Sequence, residues 1–204
     1  MTLAQNTAHD LLSIGAVFLR PDDPFTWASG VKSPIYCDNR LVLSAPQARK
    51  RVEEGIASTI RESFPRAEML MGTATAGIAH AAIAACILDL PMGYVRSSAK
   101  DHGRQNKIEG RMAPGTRVVV VEDLVSTAVS SLETVQALRD AGAEVLGIVS
   151  IFTYGTARAK AALEAAGCTN HSLSDLDTLL EVAVEENYIS REQRQSILTF
   201  RDTI

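Results

Sequence analysis

The chain has 204 residues, a net charge of −4 at neutral pH, 46% apolar side chains and 22% charged ones. That length and balance suit one domain with a buried core and exclude intrinsic disorder. The acidic balance excludes a nucleic-acid-wrapping protein, which needs a basic face.

Leu3 to Leu19 reads as a first helix, followed by a turn at Pro21 and Pro24. Phe25 to Asp38 alternates loosely around Ser29-Gly30 and Ser33-Pro34, a pattern of turns and short extended pieces. Ser44 with Gln47 forms a capping-box signature, and Ala48, Val52, Ile56 and Ile60 then recur on one helical face. Beyond this, short apolar runs alternate with helical stretches. Strands are predicted at Ala67–Met71, Met92–Arg96, Val118–Val121 and Val145–Phe152, and helices at Gly77–Leu88, Ser131–Ala141 and Thr156–Ala166. Continuous β-branched runs mark strands buried on both faces, and strand–helix alternation predicts a doubly wound parallel α/β sheet. Ser174 with Asp177, and Ser190 with Gln193, are expected to open two final helices. No repeat or Gly/Ser linker divides residues 1–204, so a single domain is expected.

The apolar stretch Ala74–Leu90 is broken by Thr75, Gly77, His80 and Asp89 and falls short of the roughly 18 apolar residues of a membrane span. The first ten residues lack the basic start and apolar run of a secretory signal. Cys37, Cys86 and Cys168 are odd in number and widely spaced, which predicts small buried thiols in a reducing cytoplasm. His9, His80 and His171 show no partner pattern.

Two segments carry chemistry. Ser97–Pro114 is polar, Gly-dotted and cationic (Lys100, His102, Arg104, Lys107, Arg111), and loops of that length in a compact domain usually have a function. In Val118–Ser131 a buried strand ends in two carboxylates, Glu122 and Asp123, and a hydroxyl-rich loop leads into a helix. Ligands bind beyond the carboxyl ends of strands in open α/β sheets, and a helix N-terminus there suits a phosphate. The carboxylates would repel phosphate, so they fit ribose hydroxyls, a hydrated Mg²⁺ or a cationic centre. Spacing alone also allows a solvated strand end, with Ser130 and Glu133 as a helix-capping box.

The acid pair with its hydroxyl loop resembles the phosphoribosyl pyrophosphate (PRPP) motif of type I phosphoribosyltransferases. Tyr94–Gly110 (YVRSSAKDHGRQNKIEG), Phe25–Arg40 and Leu173–Ser190 are similar to the mobile loop and terminal segments of the orotate phosphoribosyltransferase branch. The resemblance implies a parallel sheet flanked by helices, with a small hood built from the N- and C-terminal segments. It implies transfer of the phosphoribosyl group of PRPP to orotate, giving orotidine 5′-monophosphate and pyrophosphate. Glu122 and Asp123 would hold the ribose hydroxyls. The run Leu124, Val125, Ser126, Thr127, Ala128, Val129 and Ser130 would wrap the 5′-phosphate, with Ser126 also reaching orotate. Arg96, Lys100 and His102 would clamp pyrophosphate, the last two donated by the partner subunit of a homodimer. Mg²⁺ would bind mainly through substrate oxygens, and Gly72–Gly77 suits a second pyrophosphate contact or a plain small-residue turn. Trp27 and Tyr36 are expected to pack rather than touch substrate.

The pattern departs from the family at Ala28, Ala76 and Ser97, where lysine is common, and near Tyr154, where an arginine often contacts orotate. Ala128-Val129 stands where glycine or threonine is usual. A β-branched residue resists positive φ, so Val129→Gly is expected to tighten PRPP binding. The alternatives are transfer to another nucleobase, or a catalytically weak nucleotide-binding regulator.

Overall fold

The computed structural model describes residues 1–26, 30, 32–97 and 107–203. The first helix, α1 (Leu3–Ser13), is opened by a Thr2/Gln5 capping box. It is shorter than the sequence suggests. Gly15 takes φ +67°, the Ala16 N–H turns back to the Leu11 carbonyl, and Val17–Leu19 becomes strand β1. Two short strands, β2 (Phe25–Thr26) and β3 (Lys32–Ser33), pair with each other, and β4 (Ile35–Cys37) pairs antiparallel with β1. These are the short extended pieces that the alternation predicts. A 3₁₀ turn (Asn39–Ser44) leads into α2 (Pro46–Ser63). Ser44 does not cap α2. Its hydroxyl donates to the Leu41 carbonyl, and Pro46 starts the helix with its φ already suited to the first turn.

The rest of the chain alternates as expected. It runs β5 (Met69–Thr73), α3 (Gly77–Leu88), β6 (Met92–Val95), β7 (Ile108–Glu109), β8 (Arg117–Val125), α4 (Val129–Asp140), β9 (Glu144–Thr153) and α5 (Ala157–Ala165). It ends with β10 (Asn170–Asp175), α6 (Leu176–Glu185) and α7 (Arg191–Arg201). The sheet order is β10-β9-β8-β5-β6-β7, parallel except for the edge pair β6–β7. The valine run explains why helices cover both faces. Val119 and Val121 pack into the cluster containing α1, α2, α3 and α6 side chains, while Val118 and Val120 meet Val135 and Leu138 of α4.

Strand β10 is the element the sequence conceals. Its polar residues are tolerated because Ser150, Asn170 and Ser172 bond to one another at 2.6–3.0 Å. At its end Asp175, not Ser174, caps α6 by accepting the Thr178 N–H at 2.8 Å. Ser190 and Gln193 form the expected capping box on α7. The histidines do find partners. His80 and Glu53 form a fully buried pair at 2.6 Å between α3 and α2, His9 meets Glu186, and His171 stands edge-on to Phe64. All three cysteines are free, but only Cys168 is buried; Cys37 is half-buried and Cys86 exposed. No described helix is long and apolar enough to cross a membrane.

Candidate active site

Strand β8 runs on past its valines, so Glu122 and Asp123 lie within it rather than beyond it. Leu124 and Val125 stay paired with Phe152 and Thr153 of β9, which extends the rigid support to the edge of the phosphate loop. The two acids differ in environment. Glu122 is 4% exposed; its Oε2 accepts from the Ser131 hydroxyl at 2.9 Å and from Ser130 at 3.4 Å, and its Oε1 accepts from the Asp123 N–H at 3.0 Å. Burial, reinforced by the adjacent Asp123, pushes its pKa up to about 8. Asp123 remains half-buried.

Ser130 therefore holds Glu122 instead of forming a capping box with Glu133. Helix α4 begins at Val129 behind Ala128, with no side-chain cap, and its first turn keeps N–H groups without helical partners. These N–H groups and the helix dipole suit a phosphate. Two carbonyls of the loop are tied down. Thr156 donates to the Ser126 carbonyl at 3.1 Å, and Thr153 donates to the Val125 carbonyl at 2.9 Å. The strained residue is Ala128, at φ +64°, not Val129, which is helical and half exposed. The position that favours glycine is therefore 128 rather than 129. Because a left-handed residue with a Cβ costs about 1–2 kcal/mol, Ala128→Gly is expected to stabilise the fold by about 1 kcal/mol and to tighten PRPP binding. Thermal unfolding and calorimetric titration with PRPP and Mg²⁺ check both, and Val129→Gly is expected to do neither.

Gly72–Gly77 joins β5 to α3 beside the acid pair. The Ala74 N–H donates to the Val95 carbonyl at 3.0 Å, and the Ala74–Thr75 peptide is cis. Arg96 lies just past β6, 3.8 Å from Glu109 across the edge hairpin. The long cationic segment is thus interrupted by β7. Lys100 and His102 lie outside the described residues, as do Trp27 and Ala28.

A cavity of about 200 Å³ opens between Tyr36, Cys37, Leu124, Ser126 and Tyr154. Tyr36, expected only to pack, is 39% exposed and forms one wall while stacking obliquely on Phe25. Tyr154, where the family often has arginine, is buried edge-on to Phe152, and burial pushes its phenol above the ordinary range. The cavity floor is therefore neutral there. Asn39 and Ser131, not anticipated from the sequence, contact the acid-pair residues directly. Asn39 Nδ2 donates to the Asp123 carbonyl at 2.7 Å. Their signal is three-dimensional: Asn39 is separated from Asp123 by 84 positions.

Among the described residues no group of three or more His, Cys, Asp or Glu could hold a metal ion. With Glu122 already engaged by three donors, the carboxylates fit an ion that arrives on substrate oxygens, with Asp123 alongside.

Residues 42–174 match the phosphoribosyl transferase domain family. The chain is 52% identical over 197 residues to the orotate phosphoribosyltransferase of Listeria monocytogenes, covering 97% of this chain and 94% of that one. It is 54% identical over 199 residues to that of Bacillus cereus, covering 98% and 95%. The crystal structure of orotate phosphoribosyltransferase from Aeropyrum pernix superposes with a TM-score of 0.77 at 30% identity, over 90% of this chain and 99% of that one. Leishmania donovani UMP synthase superposes with a TM-score of 0.82 at 29% identity, over 97% of this chain and 42% of that longer one. Fold, site architecture and full-length similarity agree: the chain belongs to the orotate phosphoribosyltransferase family.

Proposed function

We propose that this chain, acting as one domain, transfers the phosphoribosyl group of PRPP to orotate, releasing pyrophosphate and giving orotidine 5′-monophosphate for pyrimidine nucleotide synthesis. The observation that carries this reading is the 52–54% identity over nearly the whole chain. It is supported by an acid pair, hydroxyl loop and helix N-terminus in one place beside a neutral cavity.

The reaction separates opposite charges. The ribosyl carbon becomes cationic, as in glycoside cleavage, while the leaving pyrophosphate gains negative charge. Asp123 holds the ribose hydroxyls and faces the cationic sugar, and Glu122 supports it from behind. Ser126 and Thr127, with the N–H groups of the loop from Ser126 to Ser130, hold the 5′-phosphate. Ser126 and the Tyr36–Tyr154 cavity take the orotate ring. Arg96, with Lys100 and His102 of a partner subunit's loop, stabilises the departing pyrophosphate, the kind of electrostatic contribution that usually dominates catalysis. Mg²⁺, which would arrive on substrate oxygens with Asp123 alongside, would add neutralisation of the pyrophosphate when bound. The three free thiols suit a reducing cytoplasm.

The test is spectrophotometric: orotate is consumed in the presence of PRPP and Mg²⁺, and adenine and hypoxanthine are not. Turnover of a purine base would favour the alternative specificity. Binding of orotidine 5′-monophosphate without pyrophosphorolysis would favour a regulator. A shared site makes a separate prediction. Lys100→Ala and Asp123→Asn proteins, each inactive alone, are expected on mixing to regain about a quarter of wild-type activity, because half the dimers then carry one intact site. Sedimentation of the mixture checks that dimers have exchanged, and no recovery after exchange would place Lys100 and Asp123 in the same subunit's site.

A further inference from the structure

We propose that Asn39 is a positioning residue for the transfer reaction, its side-chain amide holding the wall of the base cavity in register with Asp123. The proposal rests on the role given to Asp123 above.

Strand β5 pairs with β8 only as far as Gly72 opposite Val121. Beyond that point β9 is the strand that still flanks β8, paired through Glu122, Leu124 and Val125. There the Asp123 carbonyl takes a hydrogen bond from a side chain, Asn39 Nδ2, at 2.7 Å. At the other end of the same amide, the Cys37 thiol donates to Asn39 Oδ1 at 3.3 Å. A carbonyl can only accept, so the Asp123 contact fixes which way the amide faces. Asn39 is 1% exposed, and leaving either end unmet would cost the desolvation of a buried polar group.

The amide thus bridges two stretches of chain that lie far apart in sequence. One is β4, which carries Tyr36 and Cys37; the other is the end of β8, which carries Asp123 and leads to Ser126. Tyr36, Cys37 and Ser126 are walls of the 200 Å³ cavity. The distance between base and sugar sites is set where Asn39 ties the walls together, and near-attack geometry is sensitive to displacements of about 1 Å.

The experiment compares wild type, Asn39→Ala and Asn39→Asp by steady-state kinetics, pH profile and thermal unfolding. Asn39→Ala is expected to lower kcat/KM for orotate by roughly 10- to 100-fold, with kcat falling as well as KM rising. Asn39→Asp keeps the shape and the acceptor for Cys37 but places a carboxylate against the Asp123 carbonyl. When protonated, that carboxyl regains a donor. Its activity relative to wild type is therefore expected to rise as the pH is lowered, while the Asn39→Ala ratio stays flat. The nearby titratable and charged groups (Tyr36, Cys37, Asp38, Arg40, Asp123 and Tyr154) are common to all three proteins, so they cancel in the ratio.

Unchanged kcat and KM in Asn39→Ala would overturn the proposal, and so would parallel pH ratios in the two variants. If Asn39→Ala fails to fold, the pH ratio of Asn39→Asp against wild type decides alone. A wild type that does not turn over orotate would overturn the functional reading instead. PRPP affinity by calorimetry, expected to weaken in Asn39→Ala and overturning the proposal if it does not, then carries the test.

Discussion

Asp123→Asn is expected to lower kcat by about 10²- to 10³-fold, the usual loss when one preorganised electrostatic contact to a transition state is removed. The substitution keeps size and shape, and the main-chain bond from Asn39 to the residue 123 carbonyl is untouched. Thermal unfolding is therefore expected to change little. Glu122→Gln is the informative comparison. Glu122 has its pKa raised from its ordinary 4.5 to about 8, first by burial and then by the charge of Asp123. The upward shift carries the protonated carboxyl toward neutral pH, and glutamine resembles that form. The activity loss at neutral pH is thus expected to be far smaller than for Asp123→Asn. The sign of the stability effect follows from linkage. The folded state holds a proton on Glu122 that the unfolded chain releases above pH 4.5, so this contribution is fully present below 4.5 and is lost as pH rises through about 8. Wild-type melting temperature is expected to fall over that window more than that of Glu122→Gln, and equal slopes would show that Glu122 ionises freely. Equal kcat losses in Asp123→Asn and Glu122→Gln at neutral pH would show that the two acids share one role.

The different fates of the two acids could not be read from adjacent letters in the sequence. The alternation of strands and helices was legible because the valine run is buried on both faces, which leaves a continuous apolar signature. The position of the phosphate loop was legible because β8, its acids and α4 follow one another in the chain. Contacts that fold back were not legible. Ser131 reaches Glu122 from inside α4, Thr156 braces Ser126 from thirty positions away, and Asn39 reaches Asp123 from the terminal segment. Local signals also misled where tertiary structure overrode them. The helical pattern ran through Gly15 into Val17–Leu19, but pairing with Ile35–Cys37 claimed those residues for a strand. Ser44-x-x-Gln47 had the letters of a capping box, yet Pro46 fixed the helix start. Strand β10 was hidden because its side chains satisfy one another rather than reading as an apolar run.

Gly77→Ala is expected to produce the second large effect, on stability and activity together. At this residue the loop from β5 turns into α3 and passes directly over β8. A Cβ here would be driven into the Val121 carbonyl oxygen, and would lie 3.3 Å from the Val121 carbonyl carbon and 3.5 Å from the Glu122 Cα. All three are main-chain atoms, so no rotamer relieves the overlap; α3 and β8 must separate. Gly72 sits under the same crossing, where an added Cβ would meet the Ile78 Cα at 2.8 Å, so the loop has no slack on its other side. Overpacking of this kind costs about 1–3 kcal/mol. At roughly 2–4 °C per kcal/mol for a chain of this size, the melting temperature is expected to fall by several degrees. The displacement also lifts the 74–76 loop away from the acid pair, so kcat/KM for PRPP is expected to fall further than the loss of folded protein explains. Gly115→Ala separates the two effects: Gly115 has φ +83° and nothing within 4 Å of an added Cβ, so it strains the backbone without crowding the site. If Gly77→Ala matched it, losing some stability but keeping full activity per folded molecule, the close crossing of α3 over β8 would be a packing detail with no bearing on how the loop meets its ligand.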